Sequence, residues 1–192
     1  MSPPARRLPN PFTALRLLLV PLLWRLALAD QAVWLGLGLA FAALTDVLDG
    51  RLARHDPRFA DARFDSLADK VLTFSVVLWL VRLRPAIFRD HPWLILAATL
   101  VYAAALLAGW FKFGRVLGLH THAGKLGGLV QALFVVHAFV LGGYNLPLLY
   151  AALGLFILAS AEELAITLTH GTVDEETVRS IVPYLRQRFG RA

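Results

Sequence analysis

Apolar residues run along the chain in six segments of helix length, at roughly 12–29, 31–50, 66–82, 92–111, 124–141 and 145–167, each close to the ~20 residues that cross a bilayer. No stretch alternates apolar and polar positions for long enough to suggest a strand. The breaks are Asp30, an aspartate-rich stretch from Asp46 to Lys70, "RLRPAIFRDHP", "KFGRVLGLHTH" and "GGYNLP", several of them punctuated by the Gly and Pro that turns require. The pattern predicts an all-α protein, an integral membrane bundle of six transmembrane helices, with one domain over 1–172. From 173 to 192 the chain reads "VDEETVRSIVPYLRQRFGRA", acidic first and basic last, which suits the dipole of a helix. Val178, Ile181, Val182, Leu185 and Phe189 give that tail one apolar face, as in an amphipathic helix lying on a membrane surface.

Composition sharpens this reading. Hydrophobic residues make up 58% of the 192 positions, above the ~45–50% of soluble domains. Arg6 and Arg7 before an apolar run, with "ALAD" at Ala27 to Asp30, imitate a secretory signal. Arg16 and Arg25 interrupt the imitation and further spans follow at once, so a cleaved leader is not expected. The chain has no cysteine, which excludes disulfides and thiolate chemistry. Its net charge of +6 comes from basic residues that fall mostly between and after the apolar runs. That placement suits anionic headgroups or a phosphorylated substrate, not nucleic acid.

Six spans put both termini on one side, together with the basic residues of 51–70 and 112–125 and those of the tail. The opposite side receives Arg25, Arg82, Arg84 and Arg89. The richer side is expected in the cytoplasm of a multi-pass protein of the cell membrane. The Arg82–Arg89 cluster runs against that assignment.

Between the second and third segments lies "DVLDGRLARHDPRFADARFDSLADK". Asp46 and Asp49 are three apart and Asp65 and Asp69 four apart, so each pair shares a helical face. A short connection would make the two helices antiparallel neighbours and let the four carboxylates converge. Taken singly, each aspartate reads as an interfacial residue in headgroup water or a partner for a nearby arginine. As a set, they would raise one another's pKa unless a cation kept them ionised. Hard oxygen donors on facing helices suit Mg²⁺ or Mn²⁺.

"DVLDGRLAR" followed by "DSLAD" resembles the signature of the CDP-alcohol phosphatidyltransferases, D-x2-D-G-x2-A-R and then G-x3-D-x3-D. Asp46, Asp49, Gly50, Ala53, Arg54, Asp65 and Asp69 match it. "PNPFTALRLLLVP" (Pro9 to Pro21) resembles the family's N-terminal PN-x2-T-x2-R pattern, and "GKLGGLVQ" (Gly124 to Gln131) its later GK segment. Two departures stand out. Six residues separate Arg54 from Asp61, where the family has about eight, and Asp61 occupies the family's glycine position. A glycine there permits close backbone approach; Asp61 adds bulk and a negative charge.

The resemblance implies a membrane enzyme that moves a phosphatidyl group from a CDP-linked lipid, CDP-diacylglycerol foremost, to an alcohol, and releases CMP. It implies Asp46, Asp49, Asp65 and Asp69 as ligands of Mg²⁺ or Mn²⁺, with Asp69 sharing the second metal or accepting the proton of the attacking hydroxyl. Gly50 and Ala53 are small enough to admit a nucleotide or a packed helix; the resemblance favours CDP. Arg54 pairs with an aspartate or contacts phosphate. Lys112, Arg115, His120, His122 and Lys125 form a basic cluster, and Arg115 and Lys125 are candidates for binding a phosphate on the acceptor. That cluster makes glycerol 3-phosphate the favoured acceptor, with inositol phosphate, phosphatidylglycerol and an uncharged alcohol open; its rival reading is a loop facing lipid headgroups. Glu162 and Glu163 read as interfacial residues. The resemblance also implies a homodimer. Two alternatives stay open: a degenerate, non-catalytic member acting as a metal-binding scaffold, and an aspartate-rich membrane prenyltransferase that would release pyrophosphate.

Overall fold

The computed structural model describes residues 11–52, 62–114 and 121–169, without the side chains of 11–14, 16, 17, 46–52 and 62–70. Every element among the described residues is a helix: α1 (Pro11–Leu28), α2 (Ala32–Leu52), α3 (Ala62–Leu83), α4 (Pro85–Asp90), α5 (Pro92–Phe113), α6 (His122–Val140) and α7 (Leu146–Thr169). Six of them coincide with the six apolar segments within a few residues. The short α4 was not anticipated, and its Pro85 start and buried Ile87 explain it. Among the described residues three helices are long and apolar enough to cross a membrane: α5, α6 and α7. In the first three helices the apolar stretches among the described residues are shorter, Leu18–Leu28, Ala32–Thr45 and Val71–Leu83. The expected all-α class holds among the described residues, and of the six expected spans three meet the length and hydropathy of a membrane crossing. The predicted tail helix, 173–192, lies outside the described residues.

The ends of the helices follow local chemistry. At the end of α1, the Gln31 N–H donates to the Leu26 carbonyl oxygen at 2.9 Å and the Asp30 N–H to that of Ala27 at 3.3 Å. This is a Schellman closure, with Asp30 at φ 55° in the left-handed position that glycine usually takes. Thr121 caps α6 by accepting the Gly124 N–H at 3.1 Å, and Asn145 caps α7 by accepting that of Leu148 at 3.0 Å. α5 starts with Pro92 and closes on Gly114 at φ 66°.

The chain divides into two compact units. One contains α1, α2, α3 and the C-terminal turns of α6; the other contains α5, the rest of α6 and α7. Within the first, α1 packs against both α2 and α3. Its core includes Leu23, Ala27, Leu35, Ala42 and Trp79, with Trp24 and Trp79 meeting edge to face at 5.5 Å. Gly36 brings α2 close to α6, where a β-carbon would stand 2.7 Å from Val140 Cγ2. Within the second unit α5 and α7 run parallel. His91 meets Tyr150 edge to face at one end and Tyr102 meets Phe156 at a tilt in the middle. At the far end Lys112 Nζ donates to the carbonyl oxygens of Thr167 and Leu168 at 2.7 and 3.0 Å.

Candidate functional site

Both aspartate pairs lie in the first unit, Asp46 and Asp49 in the C-terminal turns of α2 and Asp65 and Asp69 in the N-terminal turns of α3. The direction of the helices brings these turns to one end. α2 runs antiparallel to α1 after a three-residue connection (29–31), and a β-carbon on Gly38 would stand 2.5 Å from Leu23 Cδ2. α3 runs parallel to α1: the Trp24 indole N–H donates to Ser75 Oγ at 3.0 Å, and further along Arg82 Nε donates to the Ala27 carbonyl oxygen at 3.2 Å.

At about 1.5 Å of rise per residue, Asp46 and Asp49 lie about 12 and 17 Å beyond Gly38 on α2. By the same measure Asp69 and Asp65 lie about 9 and 15 Å before Ser75 on α3. All four are displaced towards the end where α1 begins. Their backbones therefore occupy overlapping levels of one unit, in a frame held by adjacent residues of α1, Leu23 and Trp24. α1, which packs against both α2 and α3, is the common partner of the two helices, a part the sequence did not indicate.

Their side chains lie outside the described residues, as do Ala53, Arg54, Asp61, Arg115 and His120 in full. Gly50 is helical, on α2 one residue after Asp49. Among the described residues no group of three or more His, Asp or Glu side chains gathers to hold a metal. The donor chemistry of the four aspartates, oxygen ligands on two helices of one unit, fits a hard divalent cation such as Mg²⁺ or Mn²⁺.

The other sequence candidates fall in the second unit. Lys125 is exposed in the first turn of α6, four residues after the Thr121 cap. His122 is exposed at the start of that helix. Lys112 holds the end of α7 through the two carbonyl bonds above, which gives it a structural role within the basic cluster. Glu162 and Glu163 are half-buried on α7. Sequence reasoning assigned no part to Trp24 or Ser75, because neither residue type is diagnostic until the packing partner is known.

Comparison with known proteins places the chain. The model of the CDP-alcohol phosphatidyltransferase family matches residues 6–169, and the chain belongs to that family. No curated protein and no solved structure matches it. Membership implies transfer of a phosphatidyl group from a CDP-alcohol to an acceptor in a membrane setting, and members typically use divalent metal ions.

Proposed function

We propose that this family member transfers a phosphatidyl group from CDP-diacylglycerol to the free hydroxyl of glycerol 3-phosphate and releases CMP. The observation that carries the reading is the family match over 6–169, which takes in Asp46, Asp49 and Gly50 on α2, Ala53 and Arg54 after it, and Asp65 and Asp69 on α3.

Asp46, Asp49 and Asp65 would hold the metal, with Asp69 sharing a second ion or serving as base. A bound Mg²⁺ or Mn²⁺ supplies charge neutralisation for the diphosphate and for the departing CMP. Asp69 takes the proton of the acceptor hydroxyl as its oxygen bonds to the lipid-bearing phosphorus, and the P–O bond to the CMP phosphate breaks. Position matters more here than the carboxylate's nominal pKa. Gly50 and Ala53 admit the cytidine nucleotide, and Arg54 contacts its phosphates or orients an aspartate. Arg115 and Lys125 receive the phosphate of glycerol 3-phosphate.

The site faces the cytoplasm in this reading, in a six-span protein of the cell membrane that works as a homodimer, with 173–192 as its interfacial tail. The engagement of Arg82 and Arg84 with helix carbonyls supports that orientation. Much of the positive charge on the opposite side then serves as helix caps, which weakens its objection to the positive-inside assignment. One observation favours a second reading: Asp61 in the family's glycine position suits a metal-binding scaffold without turnover.

The test is CMP release by purified protein in detergent, given CDP-diacylglycerol, Mg²⁺ or Mn²⁺, and each candidate alcohol in turn. Metal-dependent release with glycerol 3-phosphate, lost in Asp69→Asn, is the expected result. Metal binding without release for any acceptor would select the scaffold, and pyrophosphate release from a prenyl donor would select the other chemistry.

A further inference from the structure

We propose that Trp24 is a positioning residue: its hydrogen bond to Ser75 sets the axial register of α3 and so holds Asp65 and Asp69 level with Asp46 and Asp49. The inference rests on the function proposed above and adds a residue outside the aspartate motif.

Four observations support it. The indole N–H of Trp24 donates to Ser75 Oγ at 3.0 Å across 51 residues of sequence, and Ser75 Oγ donates in turn to the Val71 carbonyl oxygen at 2.8 Å. Ser75 is 3% exposed, so the hydroxyl makes this pair of bonds away from solvent. Trp79 is fully buried against Trp24, but its own indole nitrogen has no hydrogen-bond partner among the described residues. Ring packing between smooth aromatic surfaces tolerates sliding, whereas a directed N–H···O bond does not. Of the two tryptophans, the one on α1 therefore fixes level.

The preceding residue fixes the other helix. Leu23 is 1% exposed and its Cδ2 occupies the space that a side chain at Gly38 would need. Two adjacent positions of α1 thus index α2 and α3. Ser75 lies six residues, about 9 Å of helix, from Asp69. A slip of α3 by one residue would move its carboxylates by about 1.5 Å and turn them by about 100° relative to those of α2. Oxygen ligands of Mg²⁺ and Mn²⁺ are held to narrow distances, so such a slip breaks a shared coordination sphere.

The chain has no cysteine, so nitroxides can be placed at Leu44→Cys on α2 and Phe74→Cys on α3, both exposed positions. The separation between the labels is read by pulsed electron resonance, and Mn²⁺ affinity by the free-ion signal, in full-length protein with either Trp24→Phe or Ser75→Ala. Trp24→Phe keeps a ring against Trp79 and removes the donor; Ser75→Ala removes the acceptor and spares both tryptophans. Both variants are expected to shift or broaden the distance distribution and to weaken Mn²⁺ binding by about 3- to 20-fold, the effect of one hydrogen bond between membrane helices. Combined, they should cost no more than the larger single effect. Unchanged separations in both variants, or altered separations with unchanged Mn²⁺ affinity, would overturn the role. If the unsubstituted helices bind no Mn²⁺ at all, both the functional reading and the positioning role fall. If they bind Mn²⁺ and release no CMP, the transferase reading falls while the altered separation and affinity still support the role of Trp24 in the metal site.

Discussion

Arg84 donates through Nε to the carbonyl oxygen of Ala138 at 2.7 Å, joining the end of α3 to the end of α6. The same guanidinium donates to Phe139 at 3.3 Å and to the carbonyl oxygen of its neighbour Leu83 at 2.9 Å. The last four carbonyls of a helix lack partners within it, and in a membrane setting water is a poor substitute. One planar fork serves both helices, which a lysine's single ammonium does less well. A charged group is worth about 1.5–3 kcal/mol per hydrogen bond in favourable cases. Arg84→Met should therefore lower unfolding stability in detergent by about 2 kcal/mol, and Arg84→Lys by less. A melting curve of Arg84→Met that overlays the parent would remove the arginine from the account of stability.

Arg82 separates two contributions that look alike. It meets Asp30 Oδ1 at 3.2 Å, with both side chains substantially exposed, and also donates to the carbonyl oxygens of Ala27 and Leu28. An exposed ion pair contributes about 0.2–1 kcal/mol. Asp30 also holds a left-handed backbone that glycine adopts without strain. Loss of the pair and relief of strain nearly cancel, so Asp30→Gly should be neutral within about 1 kcal/mol. Arg82→Met forfeits the carbonyl bonds and should destabilise more. Equal losses from the two substitutions would mean that the ion pair dominates.

The contrast marks what was legible in the sequence. Apolar run length located six helices, because a membrane-length helix announces itself in one continuous apolar stretch. The spacing of Asp46 and Asp49, and of Asp65 and Asp69, showed that each pair shares a helical face, because that spacing is local. Arg82, Arg84 and Lys112 read only as charges between the apolar runs, because the carbonyls they bind belong to helices more than fifty residues away. Trp24 was silent for the same reason: its partner is Ser75. Pro85 to Asp90 read as a break because six residues are too short to show a period.

Gly36 and Gly154 should respond oppositely to alanine. At Gly36 a β-carbon would stand 2.7 Å from Val140 Cγ2, 3.0 Å from Phe139 Cβ and 3.3 Å from the Val140 backbone nitrogen. The side-chain methyl can yield, but the backbone of α6 cannot, so Gly36→Ala should cost about 1–3 kcal/mol as an overpacked position. Nothing lies within 4 Å of a β-carbon at Gly154, in the middle of α7. There alanine should stabilise by roughly 0.5–1 kcal/mol through helix propensity alone. Equilibrium unfolding of the two variants decides the matter, and a gain at Gly36 would show that α2 and α6 have room to separate.

Asp61 carries the sharpest prediction about the proposed activity. It lies outside the described residues, but its place in the motif is fixed by sequence: four positions before Asp65, where the family has glycine. In the proposed reading, a carboxylate there adds a negative charge to a site that takes a diphosphate donor, and a side chain where the family has none. Like charges about 4 Å apart repel by about 1 kcal/mol even at the dielectric of water. Asp61→Gly should thus lower KM for the CDP-linked donor by about fivefold, with little change in KM for the acceptor. Asp61→Asn removes the charge and keeps the bulk, so it should recover the electrostatic part and leave the steric part in place. A higher donor KM in both variants would mean that Asp61 has joined the binding site as a ligand, and that the shortened loop has reshaped the site around it.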